Sequence, residues 1–159
     1  MNLVLRMLGS GGAFTAQFQT ERDLKTATTR ILLAEDFQPF RAFVTALLSG
    51  NGYVLYEASD GLEAIEKAQE FQPDLILLDI HLPRLNGFEV ARRVRELVPS
   101  SKIVFFTLES SAEVVQEALN LGAGYVAKMR ARTDLPVALT EVLQGKHFIS
   151  SDFLTTDRG

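Results

Sequence analysis

The chain has 159 residues, 47% of them hydrophobic and 23% charged, with a net charge of −4 and a pI of about 5.2. This is the balance of one ordinary globular domain with a core, and it argues against a chain built to coat nucleic acid or an anionic membrane. With no cysteine, disulfides, thiolate zinc sites and cysteine nucleophiles are excluded.

Residues 1–30 carry four basic and two acidic groups, against twelve and eighteen in the remainder. The start, MNLVLRMLGSGGAF, has a short apolar piece but lacks the basic cluster of a signal peptide. GSGGAF and TATTR read as loop or linker, so residues 1–29 are expected to be an N-terminal extension. No apolar run is long enough to span a bilayer.

From Arg30 onward strands and helices alternate. RILLAED is a short apolar run ending in acids. QPFRAFVTALLSGNG follows, with Phe40, Phe43, Val44, Leu47 and Leu48 on one helical face and Gly50-Asn51-Gly52 as its stop. YVLYEA is a second strand. SDGLEAIEKAQEF is a second helix, where Asp60 and Glu63 have the spacing of a capping box. Pro73 closes that helix. DLILLD is a third strand, apolar enough to be buried on both faces, yet it ends on the carboxylate of Asp79.

A third helix is expected from Gly87 to Leu97, with Val90, Ala91, Val94 and Leu97 inward. KIVFFTL is a fourth strand. Ser110 and Glu113 suggest the start of a fourth helix with Val114, Val115, Ala118 and Leu119 inward, ended by Gly122. GYVAK is a fifth strand, and TDLPVALTEVLQG a last helix stopped at Gly145. Five strands in strict alternation with five helices imply an α/β fold: a five-stranded parallel sheet, doubly wound, helices on both faces of a three-layer sandwich.

In such a sheet ligands gather outside the carboxyl ends of the strands. Those ends carry Glu35-Asp36, Glu57-Ala58, Asp79, Thr107 and Lys128. With the second strand at the edge, the first and third are neighbours and the acidic pair shares a crevice with Asp79. Clustered carboxylates repel unless a cation joins them, and Mg²⁺ takes few protein carboxylates while keeping water and phosphate oxygens. Lys128 adds a point charge suited to a phosphoryl oxygen, and Thr107 a hydroxyl donor. The set provides a nucleophile, a metal site and oxygen donors for phosphoryl transfer to a carboxylate. Singly, each residue has a plainer reading: Glu35 and Asp36 as helix caps, Asp79 as a loop cap, Thr107 as an ordinary strand residue, Lys128 as a surface lysine, Tyr125 as core.

Glu35-Asp36, the LLDIHLP…NG segment, Thr107 and GAGYVAK, in this order and spacing, resemble the receiver domain of two-component response regulators across about residues 30 to 150. The resemblance implies a flavodoxin-like topology, a receiver over residues 30–147 and a tail over 148–159 with no output domain. It implies that Asp79 accepts a phosphoryl group from a sensor histidine kinase or phosphotransfer protein. It further implies that Asp36, Glu35 (through water), Asp79 and the backbone carbonyl of His81 hold Mg²⁺. Thr107 and Lys128 would contact the phosphoryl oxygens, and Tyr125 would turn inward as Thr107 moves. The face of the fourth helix, fifth strand and fifth helix would then change and could form a homodimer.

The same resemblance implies a cytoplasmic signalling protein that is no metabolic enzyme, binds no nucleic acid itself and has no membrane segment. The tail GKHFISSDF is similar to the end of receivers that precede a helix-turn-helix domain in nitrate-regulator-type proteins. Leu108 stands where the family usually has a small residue, and Met129 where many members have proline. These two departures motivate an alternative, a degenerate receiver acting only as an interaction module. A phosphatase with an aspartate nucleophile would need an acid at the position of His81. Arg92, Arg93 and Arg95 read as a solvated face rather than a nucleic-acid surface, and His81 as a solvated loop residue supplying only its carbonyl.

Overall fold

The structure, a computed structural model, describes the strands Leu3–Leu8 and Thr15–Thr20 and residues 28–150. The loop segments expected over residues 9–14 and 26–27 and the tail 151–159 lie outside the described residues. Leu3–Leu8 (β1) and Thr15–Thr20 (β2) pair antiparallel as a two-stranded sheet of their own. Reading residues 1–29 as loop or linker did not anticipate these strands: LVLRML has no clear polar alternation, the signal a short strand would give.

The main sheet is built from β3 (Thr29–Ala34), β4 (Tyr53–Ala58), β5 (Leu75–Leu78), β6 (Lys102–Thr107), β7 (Gly124–Ala127) and β8 (Phe148–Ile149). All pairings are parallel, in the order β4-β3-β5-β6-β7-β8. The helices are α1 (Gln38–Leu48), α2 (Gly61–Phe71), α3 (Gly87–Leu97), α4 (Ala112–Leu121) and α5 (Ala131–Leu143). The doubly wound parallel sheet with alternating helices is as expected, with one strand more. β8 falls in what was read as tail and extends the edge beside β7. Two residues are too few for a sequence pattern. They hold because buried Ser150 donates its N–H to the Tyr125 carbonyl and accepts the Ala127 N–H on Oγ at 3.0 Å.

The run Leu75–Leu78 explains itself in this frame. Alternate side chains of a strand point to opposite faces. Leu75 and Leu77 pack with Ile31, Leu33, Val104, Phe106 and Val126 beneath α1 and α5. Ile76 and Leu78 pack with Leu32, Ala34, Ile103, Phe105 and Tyr125 beneath α2, α3 and α4. A strand sandwiched between two cores must be apolar on both faces, and truncating any of these leucines to alanine would cost about 2–5 kcal/mol.

Local chemistry sets the helix ends. Asp60 caps α2 by accepting the Glu63 N–H at 2.9 Å, while the Glu63 carboxylate accepts from the N–H and hydroxyl of Ser59. The capping box is therefore present, reaching back one residue further than the cap. Asn86 caps α3 by accepting the Glu89 N–H at 3.1 Å. The cap of α4 is Ser111, accepting the Val114 N–H at 3.3 Å, and not Ser110; adjacent serines offer the same chemistry, and only the backbone path selects between them. Leu97, expected inward, is 48% exposed at the end of α3.

The last helix begins at Ala131, earlier than expected, after a 3-10 turn over Lys128–Arg130. Pro136 lies inside it. Its missing N–H costs one helical bond, which is offset by the buried apolar stripe Leu135, Ala138, Leu139 and Val142. No helix among the described residues is long and apolar enough to cross a membrane.

The capping box makes stability depend on pH. The Lys67 ammonium, and then the Ser59 N–H, hold the Glu63 carboxyl at about 2, below its ordinary 4.5. A depressed folded-state value means that the ionised form favours folding, so its contribution is complete above 4.5 and disappears as pH falls toward about 2. Glu63→Gln is expected to lower stability at neutral pH by about 0.5–1 kcal/mol, since the pair is partly solvent-screened. Thermal melts at stepped pH should show the gap to wild type closing in that acid window; a gap constant across it would contradict this account.

Candidate functional site

The ladder carries two acids to one place. Glu35 follows β3 directly, and its N–H donates to the Ala58 carbonyl of β4 at 3.0 Å. Asp79 follows β5, and its N–H donates to the Ala34 carbonyl of β3 at 3.1 Å. Both sit one step beyond adjacent strand ends, and carboxylate oxygens of Glu35, Asp36 and Asp79 all lie within 4.8 Å of one another. Glu35 and Asp79 are buried, at 1% and 4% exposure, while Asp36 is exposed.

The chain turns tightly just after Asp79. The Gly87 N–H donates to the Ile80 carbonyl at 2.8 Å. A Cβ at Gly87 would stand 2.2 Å from the Asp79 carbonyl oxygen, closer than any side chain tolerates. Glycine here lets α3 start against the backbone of Asp79.

Lys128 crosses from the end of β7 and places its ammonium between the two buried acids. Nζ donates to Asp79 Oδ2 at 2.9 Å and is in close ion-pair contact with Glu35 Oε2. It also lies 5.0 Å from the centre of the Phe40 ring and 5.9 Å from that of Phe106, aromatic faces that favour a cation. Glu35 Oε1 accepts the Phe37 N–H at 3.1 Å. Its Oε2 lies against the Lys128 ammonium. Burial pushes the Glu35 carboxyl above its ordinary value, against the pull of Lys128 and the Phe37 N–H. Three clustered carboxylates, two of them buried and sharing one ammonium, are a donor set that suits a hard divalent cation.

The helix-cap reading of Glu35 and Asp36 fails, while the loop-cap reading of Asp79 holds in part. The N-cap of α1 is Phe37, with no side-chain cap bond, so neither Glu35 nor Asp36 caps that helix. Asp79 keeps a minor local role, accepting the His81 N–H on Oδ1 at 3.3 Å. Thr107, fully buried at the end of β6, accepts the Glu109 N–H on its hydroxyl at 3.3 Å. Tyr125 is fully buried in the core facing α2, α3 and α4, and its hydroxyl donates to the Glu109 carbonyl. Burial, then the charge of Glu109, pushes that phenol up to about 12.

Glu35, Asp36, Asp79, His81, Thr107 and Lys128 line one crevice of about 380 Å³, together with Phe37, Phe40 and Leu108. Every expected site residue except Tyr125 reaches it; Tyr125 meets it indirectly, through Glu109. Leu108, 67% exposed, is one of the residues lining the crevice. Met129, 87% exposed, follows Lys128 in the 3-10 turn, and every peptide bond among the described residues is trans.

Sequence reasoning missed two features. His81 is not simply solvated: its Nε2 lies 2.9 Å from Glu109 Oε1, so the pair bridges the loops after β5 and β6. Arg41, on α1, donates to the carbonyls of both Glu35 and Asp36 and faces Glu57. The available signal was a lone arginine among the phenylalanines of QPFRAFV.

Residues 31–140 match the family model described as the response regulator receiver domain. The chain is 39% identical over 123 residues to the nitrate/nitrite response regulator protein NarL of Escherichia coli, covering 76% of this chain and 57% of that protein. It is 33% identical over 128 residues to the transcriptional activator protein ExaE of Pseudomonas putida, covering 79% of this chain and 60% of that one. It thus spans less than two thirds of these relatives' length. Among solved structures, a LuxR-family two-component response regulator from Aurantimonas sp. SI85-9A1 superposes with a TM-score of 0.76 at 29% identity, covering 80% of this chain and 93% of that one. The order of the sheet, the acidic crevice at its carboxyl edge and these likenesses agree: the chain belongs to the response regulator receiver domain family of two-component signalling.

Proposed function

We propose that residues 30–147 act as a phosphorylatable receiver in a phosphorelay, with Asp79 as the acceptor. The observation that carries this is the Lys128 ammonium 2.9 Å from Asp79 Oδ2, in a crevice that also gathers Glu35 and Asp36. An Asp79 carboxylate oxygen attacks the phosphorus of a phosphohistidine on a sensor kinase or phosphotransfer protein. A P–O bond forms, the P–N bond breaks, and the departing imidazole takes a proton from solvent. Hydrolysis returns the site: water attacks phosphorus and inorganic phosphate leaves.

Lys128 orients Asp79 before transfer and pairs with a phosphoryl oxygen afterwards. Thr107 offers its hydroxyl proton to a second oxygen. Glu35, Asp36, Asp79 and the His81 carbonyl would hold Mg²⁺, which supplies charge that offsets the phosphoryl oxygens and the clustered carboxylates.

Drawing Thr107 toward the new phosphate changes the loop after β6, where Thr107 and Tyr125 both bond to Glu109. That shared contact supports Thr107 and Tyr125 as the switch pair and the α4-β7-α5 face as the output surface, biasing an existing two-state equilibrium. The domain is then a cytoplasmic signalling module rather than a metabolic enzyme. Residues 1–29 stand as an extension before it, and its output is a protein contact such as a homodimer through that face.

Acetyl phosphate with Mg²⁺ should add one phosphoryl mass to the intact chain, and Asp79→Asn should abolish the gain. Sedimentation of the same sample should show a dimer forming as phosphate is added. No mass gain, or a gain that survives Asp79→Asn, would leave only the interaction-module reading, and a monomer in both states would remove the dimer. Mg²⁺ should also raise the wild-type melting temperature, by the equivalent of about 2.7 kcal/mol at a hundredfold excess over Kd. Asp79→Asn should start higher without metal, because one of the three clustered charges is gone, and should gain less from Mg²⁺. Equal Mg²⁺ shifts in both proteins would contradict the assigned ligands.

A further inference from the structure

We infer that Arg41 is a positioning residue for the divalent-cation site, holding the Glu35–Asp36 turn by its backbone so that both carboxylates stay turned to the crevice; this rests on the acidic crevice being a cation site. Three residues, Glu35, Asp36 and Phe37, join β3 to α1, and their carbonyls can be followed one by one. Arg41 Nη1 donates to the Glu35 carbonyl at 2.7 Å and to the Asp36 carbonyl at 3.1 Å. The Phe37 carbonyl accepts the N–H groups of Phe40 and Arg41, each at 3.1 Å. Arg41 thus reaches all three carbonyls of the turn. The helix itself starts without a side-chain cap.

The direction of the guanidinium matters as much as its bonds. Beside two acids, an arginine would ordinarily form a bidentate pair with a carboxylate and so compete with a metal. Here Nε faces Glu57 Oε2 at 3.6 Å on the other side of the turn. Glu57 is itself oriented by the Thr45 hydroxyl at 2.9 Å. The positive charge is matched at the end of β4, and the metal-site acids are left to Lys128 and the cation. Glu57, unremarkable in the sequence as the end of an edge strand, becomes the anchor of this arrangement. A lysine has a single ammonium and cannot span two carbonyls and Glu57 with a planar fork.

The test is Mn²⁺ binding to the full chain, read from loss of the free-ion electron paramagnetic resonance signal, for wild type, Arg41→Ala, Arg41→Lys and Glu57→Gln. Circular dichroism checks each variant's fold. Loss of a group that orients metal ligands typically weakens affinity about 10- to 100-fold. Arg41→Ala is expected in that range, Arg41→Lys to recover only part, and Glu57→Gln to show a smaller loss in the same direction. A folded Arg41→Ala that binds Mn²⁺ as tightly as wild type overturns the inference. If Arg41→Ala does not fold, Glu57→Gln with unchanged affinity overturns it. A wild-type chain that binds no Mn²⁺ overturns the cation-site reading itself, an outcome distinct from either of these.

Discussion

A carboxylate taken out of water needs a matching positive charge, and in this fold two buried carboxylates are matched by one ammonium. Lys128 touches Glu35 and Asp79 at once, walled by Phe40 and Phe106. Desolvation of such a cluster costs more than one cation repays, which is visible in the raised carboxyl of Glu35. Glu35, Asp36 and Asp79 together thus outnumber the one ammonium among them. The two-sided core holds the charges in place against their mutual repulsion. Leu75–Leu78 and their neighbours fix the strand ends, so the acids cannot move apart to relieve it.

A few contacts join the crevice to the core beyond it. Asp79 and Thr107 lie at the ends of adjacent strands, and the residues two positions beyond each, His81 and Glu109, pair across the mouth. Glu109 gathers three contacts: its side chain meets His81, its N–H meets Thr107, and its carbonyl meets Tyr125. A change at Asp79 thus has a short covalent and hydrogen-bonded path to β7. From there the Ala127 N–H bonds to Ser150 Oγ, beside the edge strand β8.

Much of this was legible in the sequence because it rests on periodicity and local chemistry. The alternation of apolar runs gave the parallel sheet, and the residues ending those runs gave Glu35, Asp36, Asp79, Thr107 and Lys128. Asp60 with Glu63 marks a helix start through a bond that spans three residues. What stayed hidden depends on which loop faces which. Arg41 meets Glu57 from 16 residues away, and His81 meets Glu109 from 28, with no local pattern to announce either. β8 is two residues long and exists through a ladder and a buried serine. Ser111 in place of Ser110, and the early start of α5 ahead of Pro136, turn on backbone path rather than residue type.

The central claim is that Asp79, and no other acid of the crevice, carries the phosphoryl group. Borohydride reduces an aspartyl phosphate to homoserine, so treating the phosphorylated chain with borohydride and mapping its peptides reads the acceptor directly. The account predicts homoserine at position 79 alone. Modification at Asp36 instead, or none anywhere in a sample that has gained phosphate, would contradict it.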